Sequence, residues 1–228
     1  MSNRKNIAPR FLLEIASIFL GVTIAFLANH WNEQRKEKII ERNVLQEIYA
    51  ELQLDIADLS GNRRGHELGI RAVNLFESFS KNEPVGLDTM GSYFERMYRD
   101  YISLTNTTAY ENLRSRGFEL IKNEKLRSDI LLVYDYNYEA IKKLEEDYYP
   151  AQFHANYFEK IMEYFGPYIE IENNNIRVVR PFRGKADAEL LLIFKEIRQW
   201  RYFSIQAYDA ALKAIEQLRE DIKKELDS

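Results

Sequence analysis

One uninterrupted apolar segment near the N-terminus constrains this chain more than any other feature of its sequence. From Phe11 to Trp31 the sequence reads FLLEIASIFLGVTIAFLANHW, and only Glu14, Asn29 and His30 are strongly polar. A helix of this length extends about 30 Å, which matches the hydrocarbon thickness of a bilayer. The segment therefore predicts a transmembrane helix over residues 11–31.

Two alternatives remain for this segment. The first is a cleaved signal peptide, which requires small residues just before the cleavage point. Cleavage after Ala28 would place the bulky Phe26 three residues before the cut, and no clean cleavage site is present. The second is a buried core helix, because a soluble protein can also contain a long apolar helix. The length of the segment and its flanks favour a retained anchor.

The flanks of the apolar segment are typical of membrane boundaries. The tail over residues 1–10 is short and carries three basic and no acidic side chains. Such a tail favours retention in the cytoplasm, and an aromatic residue closes the other end of the segment. We therefore expect a single-pass protein of the bacterial inner (cytoplasmic) membrane, with a cytoplasmic N-terminus and a periplasmic domain over residues 32–228. The predicted boundary residues are Arg10, Asn29, Trp31 and Asn32.

One face of the predicted membrane helix carries mostly small residues. Ser17, Gly21 and Ala25 recur every four residues, a spacing that allows two membrane helices to approach closely. Glu14 lies on the same face, either bonding a partner helix or extending toward the lipid headgroups. The sequence thus predicts a homo-oligomer or a larger membrane complex, and an oligomeric pore around Glu14 is a further alternative. The predicted helix–helix interface comprises Glu14, Ser17, Gly21, Ala25 and Ala28.

Residues 32–228 have the periodicity of α-helices. No Pro interrupts the chain between Arg10 and Glu83, so the membrane helix is expected to continue as a long projecting stalk through residue 60 and on toward Phe79. Gly61, Gly65 and Gly69 interrupt this segment at four-residue intervals, which indicates either a loop or a close helix crossing. Only residues 168–179 alternate in the manner of a β-hairpin. The predicted fold is mainly α, an antiparallel helical bundle with one small β-hairpin.

The composition limits the chemistry that this chain can perform. It contains no Cys and only three His, and no Glu-x-x-His, phosphate-loop or nucleophile motif is present. The net charge of −4 argues against nucleic-acid binding. We therefore expect a non-enzymatic protein with no metal and no cofactor, whose partners are the lipid bilayer and other protein chains. His66 is predicted to be solvated, and the acidic run from Glu145 to Asp147 is predicted to form a solvated face.

Aromatic residues recur densely between Tyr134 and Tyr168. This density indicates either the core of the helical bundle, with hydroxyl groups reaching water, or a groove that binds a ligand or peptide. The second interpretation would make the domain an extracytoplasmic sensor module. The residues predicted to line the groove are Tyr134, Tyr138, Tyr149, His154 and Tyr157.

Two motifs together support a resemblance to a known family. The anchor has the pattern E…G…N-x-W-N-E, and a mid-chain motif, YENLRSRGFELI, runs from Tyr110 to Ile121. In these motifs the chain resembles a family of uncharacterised single-pass membrane proteins of bacteria. The family has no established activity, so the resemblance implies a topology and no catalytic residue. Physically, the motif predicts a helix that ends at Gly117 and another that begins at Asn123. The anchor positions are Glu14, Gly21, Asn29, Trp31, Asn32 and Glu33.

Overall fold

A computed structural model describes the backbone of residues 7–227 and the side chains of residues 13–227. Most of the predicted basic tail, residues 1–6, lies outside the described part, as does the side chain of Arg10. The described chain is mainly α-helical with one small antiparallel hairpin, so the predicted fold class is confirmed. The elements are α1 (Ile7–Ser80), α2 (Leu87–Phe94), α3 (Thr108–Arg116), α4 (Glu124–Leu131), a π-helix (Leu132–Tyr138), α5 (Glu139–Glu146), α6 (Phe153–Phe165), β1 (Ile169–Glu172), β2 (Asn175–Val178) and α7 (Ala188–Asp227).

Helix α1 contains 74 residues and is therefore about 110 Å long. The helix is continuous, as predicted, but the part of it from Val44 to Ser80 packs in the bundle and is not a free stalk. Side chains are buried from Val44 onward, because α7 packs antiparallel along α1 and reaches back to it at Leu226. Residues 32–39 are exposed, and they form the part of α1 that separates the predicted membrane segment from the bundle.

Two clusters of buried side chains lie along the α1–α7 pair. The proximal core, nearer the apolar segment, joins α1 and α7 to α3, α4 and the π-helix. The distal core joins the other ends of α1 and α7 to α2, α6 and the hairpin. Representative residues of the proximal core are Leu45, Ile48, Leu113, Ile130 and Ile215, and those of the distal core are Phe76, Phe94, Phe165, Val178 and Phe194.

The hairpin lies within the range predicted from the sequence. Asn173 and Asn174 connect its strands with φ angles of 50° and 62°, the two positive values that a tight type I′ turn requires. Helix α2 packs directly on β2, since a Cβ atom at Gly91 would lie 1.7 Å from the carbonyl oxygen of Ile176. Only glycine permits this close approach.

The mid-chain motif forms the connection that the sequence predicts. Gly117 ends α3 with a φ of 99°, and the Asn123 side chain accepts a hydrogen bond from the backbone N–H of Leu126 to cap α4. Between these helices, the Lys122 backbone N–H donates to Glu41 on α1. This contact ties the turn to the part of α1 that leaves the apolar segment.

Candidate functional site

The apolar segment at the start of α1 is not covered by any other part of the chain that the structure describes. Its most apolar 18-residue window has a mean hydropathy of 1.6, and none of that window is buried within the protein. The alternative of a buried core helix is therefore wrong. By length and composition, this part of α1 can cross a membrane.

The small-residue face of this segment is exposed along its length. The Ser17 hydroxyl donates to the backbone carbonyl of Glu14 at 2.8 Å, so it is satisfied within its own helix. A Cβ atom at Gly21 would meet no atom within 4 Å. Ala25 and Ala28 are likewise exposed. Small side chains therefore leave the helix backbone accessible on this face, and the Ser17 hydroxyl is already hydrogen-bonded within the helix.

Three of the four predicted boundary residues, Asn29, Trp31 and Asn32, lie at the C-terminal end of the apolar segment. Asn29 donates to the Glu33 carboxylate at 3.0 Å, one turn further along the helix. Trp31 and Asn32 are exposed, and His30 bonds Gln34 at 2.9 Å. Hydrogen bonds between polar side chains therefore begin where the apolar segment ends.

A cleft of about 440 Å³ opens on the side of the proximal core. One wall consists of an extended segment over residues 99–107, which we call the strap, together with the first turns of α3. The other wall is the π-helix and α5. Tyr110, Tyr134 and Tyr138 form its aromatic lining, and the rings of Tyr110 and Tyr134 are stacked at 4.4 Å.

The five residues predicted to form one groove do not come together. Tyr134 and Tyr138 line the cleft, and most of each side chain is buried in the proximal core. Tyr149 is 70% exposed and His154 is also exposed, so neither is a core residue. The His154 ring stacks on Phe158 at 4.7 Å. Tyr157 packs on the distal core. The break at residues 149–151 divides the aromatic run between two cores.

Carboxylates of α1 hold the strap in place. Asp58 accepts from the backbone N–H of Leu104 at 3.0 Å, and Asp55 accepts from that of Asn106 at 2.9 Å. Glu51 accepts from the backbone N–H at the start of α3. The pKa of Asp55 is raised, because burial outweighs its hydrogen bonds. These three carboxylates were not identified as a group from the sequence, although Glu51, Asp55 and Asp58 are spaced by four and three residues and so lie on one face of the helix.

Glu145 belongs to the floor of the cleft rather than to a solvated face, which corrects that prediction. Its carboxylate accepts from the backbone N–H and the hydroxyl of Ser103, at 2.8 and 2.6 Å, and from the hydroxyl of Tyr208. Burial raises the pKa of Tyr208. The carboxylate thereby links the strap, α5 and α7 at one point.

His66 is buried, so its predicted exposure is wrong. Its side chain is 4% exposed, and its Nδ1 atom accepts a hydrogen bond from Arg201 at 3.2 Å. Burial, and then the charge of Arg201, lower the pKa of His66 well below its ordinary value. The Arg201 guanidinium is fully buried and lies 4.0 Å from the Phe153 ring centroid. Gly69 makes room for it, since a Cβ atom there would lie 2.3 Å from its Nε atom.

Among the residues that the structure describes, no group of three or more His, Asp or Glu side chains is arranged to hold a metal ion. No protein-family model, no curated protein and no solved structure matches this chain. The functional interpretation therefore depends on the exposed apolar segment and on the cleft.

Proposed function

We propose that this chain is a non-enzymatic, single-pass membrane protein that self-associates or serves as an accessory subunit of a membrane complex. The observation that carries the proposal is an apolar helical segment with no buried residue in its most apolar window, which needs lipid or another helix to cover it. We further propose that it belongs to the family of single-pass bacterial proteins that its anchor and mid-chain motifs resemble.

The small-residue face supports helix–helix association. Side chains on this face do not keep a second backbone at a distance, and close packing is a main source of stability between membrane helices. Gly21 lies at the centre of the face with open space beside it. A homo-oligomer would place two such faces in contact, whereas an accessory subunit would use the face on a different membrane protein.

Native mass spectrometry of the full chain, extracted in mild detergent, tests this assembly. We expect the wild type to be an oligomer or to carry a co-purifying protein, and Gly21→Ile to shift it to a free monomer. Thr23→Ile adds the same side chain on nearly the opposite face and should leave the assembly intact. A wild-type monomer without a partner, or equal disruption by both variants, would contradict the proposal.

The same measurement tests Glu14. If the carboxyl group bonds a partner helix or lines an oligomeric pore, Glu14→Gln should weaken the assembly or change its subunit number. If Glu14→Gln assembles as fully as the wild type, the Glu14 side chain extends toward the lipid headgroups instead.

We also propose that the N-terminus is cytoplasmic and that the bundle lies in the periplasm of a bacterium, tethered to the inner membrane. A reporter fused after Ser228 tests the orientation. We expect activity only from a reporter that functions outside the cytoplasm, and cytoplasmic activity alone would reverse the topology. The intact mass of the membrane-extracted chain distinguishes a retained anchor from cleavage after Ala28.

A second candidate function is ligand sensing by the domain outside the membrane. The cleft beside Tyr134 and Tyr138 favours it, because small molecules bind preferentially in concave surfaces. The turn at Lys122 continues from α3, which lines the cleft, and contacts Glu37 and Glu41 on α1. A change in the cleft therefore has a direct structural route to the membrane helix.

A further inference from the structure

The cleft combines an aromatic floor with an unusual helical wall. The π-helix has seven residues, and short π-helical segments in proteins are often found at functional sites. Within it, the Asn137 side chain donates to the carbonyl of Leu132 at 3.0 Å. The wider turn carries both Tyr134 and Tyr138 into the lining of the cleft.

The lining of the cleft is predominantly acidic. It contains five carboxylates but only two cationic side chains, Arg114 and Lys142. Two more carboxylates, Glu51 and Asp55, lie behind the aromatic floor, and neither forms an ion pair with Lys or Arg in the described part of the chain. Burial raises the pKa of both. The lining carboxylates are Glu111, Asp135, Glu139, Glu145 and Glu146.

One buried polar group at the cleft lacks a partner. Tyr134 lines the cleft and is 4% exposed, yet its hydroxyl forms no hydrogen bond. A buried hydroxyl without a partner costs about 1–3 kcal/mol, so it normally indicates a missing ligand or water molecule. Electrostatic interactions with Glu51 and Asp55 place this hydroxyl in a negative environment. A positively charged ligand is the class that such a negative environment favours.

The tyrosine rings are mostly buried, and the part of them that lines the cleft adds a second, smaller attraction for a cation. Tyr138 packs edge-on against Tyr134 with ring centroids 5.1 Å apart. The face of an aromatic ring attracts ammonium groups, and its apolar area also covers methylene groups. A neutral or anionic ligand would lack the electrostatic attraction both to the rings and to the carboxylates.

We propose that the cleft binds a small aliphatic amine in its protonated form, with the ammonium group among the carboxylates and the methylene chain on the tyrosines. A volume of about 440 Å³ admits a short linear diamine. The proposal rests on the second candidate function, ligand sensing, and names the ligand class for that site.

Isothermal titration calorimetry of the full chain in detergent, with 1,4-diaminobutane as the probe, tests this assignment. We expect saturable binding at physiological salt. The neutral analogue 1,4-butanediol and the anion glutarate should not bind. Glu139→Gln combined with Glu146→Gln should weaken binding by at least about threefold, since both exposed carboxylates line the cleft. Glu216→Gln removes an exposed carboxylate from α7, away from the cleft, and should bind as the wild type does.

Tyr134→Phe keeps the ring and removes the hydroxyl without a partner. We expect weaker amine binding with an unchanged circular-dichroism spectrum, because no hydrogen bond within the chain is lost. Absence of saturable diamine binding, equal binding of the diol, or an equal response to Mg²⁺ would overturn the amine assignment. Sensing is tested separately: diamine binding that leaves the oligomer mass unchanged would contradict sensing but retain the site.

Discussion

Arg201 is a fully buried cation whose hydrogen bonds go to the backbone rather than to a carboxylate. Its Nη2 atom donates to the carbonyl oxygens of Arg96, Met97 and Arg99 at 3.0 to 3.1 Å. Burial lowers the pKa of Arg201 to about 10, which leaves the side chain charged at neutral pH. Three carbonyls, one neutral imidazole and an aromatic face replace part of the water that the guanidinium loses on folding, whereas its Nε atom has no hydrogen-bond partner in the described part of the chain. This site joins α1, the segment before the strap, and α7.

Two glycines on α1 provide a direct test of this packing. Gly69→Ala should destabilise the protein by about 1–3 kcal/mol, because the new methyl group would overlap the immobile Arg201 side chain. Gly61→Ala should stabilise it by about 0.5–1 kcal/mol, since alanine favours the helix and its Cβ atom would meet nothing within 4 Å. Urea denaturation in detergent measures both values. Similar effects of the two substitutions would contradict the packing at Arg201.

His66 makes stability depend on pH in a defined direction. The folded state holds His66 neutral with a lowered pKa, whereas the unfolded chain takes up a proton near about pH 6.5. The unfolded state therefore binds more protons below that pH, and stability falls by about 1 kcal/mol as the pH decreases by one unit. We expect this loss in the wild type.

The half-buried Glu51 and the buried Asp55 have raised pKa values and produce the opposite trend, so the test compares variants. The wild-type loss on acidification should disappear in His66→Gln and persist in His154→Gln, whose side chain is exposed. Urea midpoints measured between pH 7 and pH 5 provide the comparison. The same pH slope in His66→Gln as in the wild type would rule out this role.

At the scale of elements, the strap is held by helix α1 rather than by a sheet. Asp55 is fully buried and accepts from the Tyr138 hydroxyl at 2.5 Å, in addition to the backbone and side chain of Asn106. One carboxylate thus joins α1, the strap and the π-helix. An extended segment without a strand partner still needs acceptors for its buried N–H groups, and side chains supply them here.

Asp55→Asn should therefore destabilise the proximal core by about 2–3 kcal/mol, because the amide nitrogen cannot accept hydrogen bonds from these donors. The strap should also become more accessible, which hydrogen exchange at Asn106 measures directly. Glu47→Gln is the matched control, since Glu47 is exposed on the same helix. Unchanged exchange at Asn106 in Asp55→Asn would exclude a role for the carboxylate in holding the strap.

The elements show which local patterns are reliable. Asn123 caps α4 and the Asp187 carboxylate caps α7, because each supplies an oxygen to the free N–H groups of a first helical turn. The paired Asn residues of the hairpin tolerate positive φ angles, which the tight turn needs. The π-helix could not be predicted from the spacing of apolar residues along the sequence. Its extra residue per turn is stabilised by burying Tyr134 and Tyr138 against distant elements.

At the scale of the whole molecule, α1 contains both the exposed apolar segment and the central support of the bundle. Both cores lie beyond Val44, whereas residues 32–39 are exposed. Helical continuity at Gln34 should therefore matter for the link to the apolar segment and not for stability of the bundle.

A matched pair of proline substitutions tests this division. Gln53→Pro lies at an exposed position within the bundle and should lower the free energy of unfolding by about 3 kcal/mol or more. Gln34→Pro should change it by less than about 0.5 kcal/mol. Urea unfolding followed by the fluorescence of Trp200, in a Trp31→Phe background, measures both. A large loss in Gln34→Pro would show that the bundle extends further toward the apolar segment than its cores indicate.

The sequence by itself determined the apolar segment, the long helices and the hairpin, because each arises from residues that are neighbours along the chain. Only the tertiary structure decided what is buried. His66 and Glu145 look like surface residues in the sequence, but they pack against Arg201 and Tyr208, which are far away along the chain. The cleft likewise forms where the strap meets the π-helix. The spacing of apolar residues shows which face of a helix is apolar. The burial of a polar group depends instead on the hydrogen-bond partner that another element supplies.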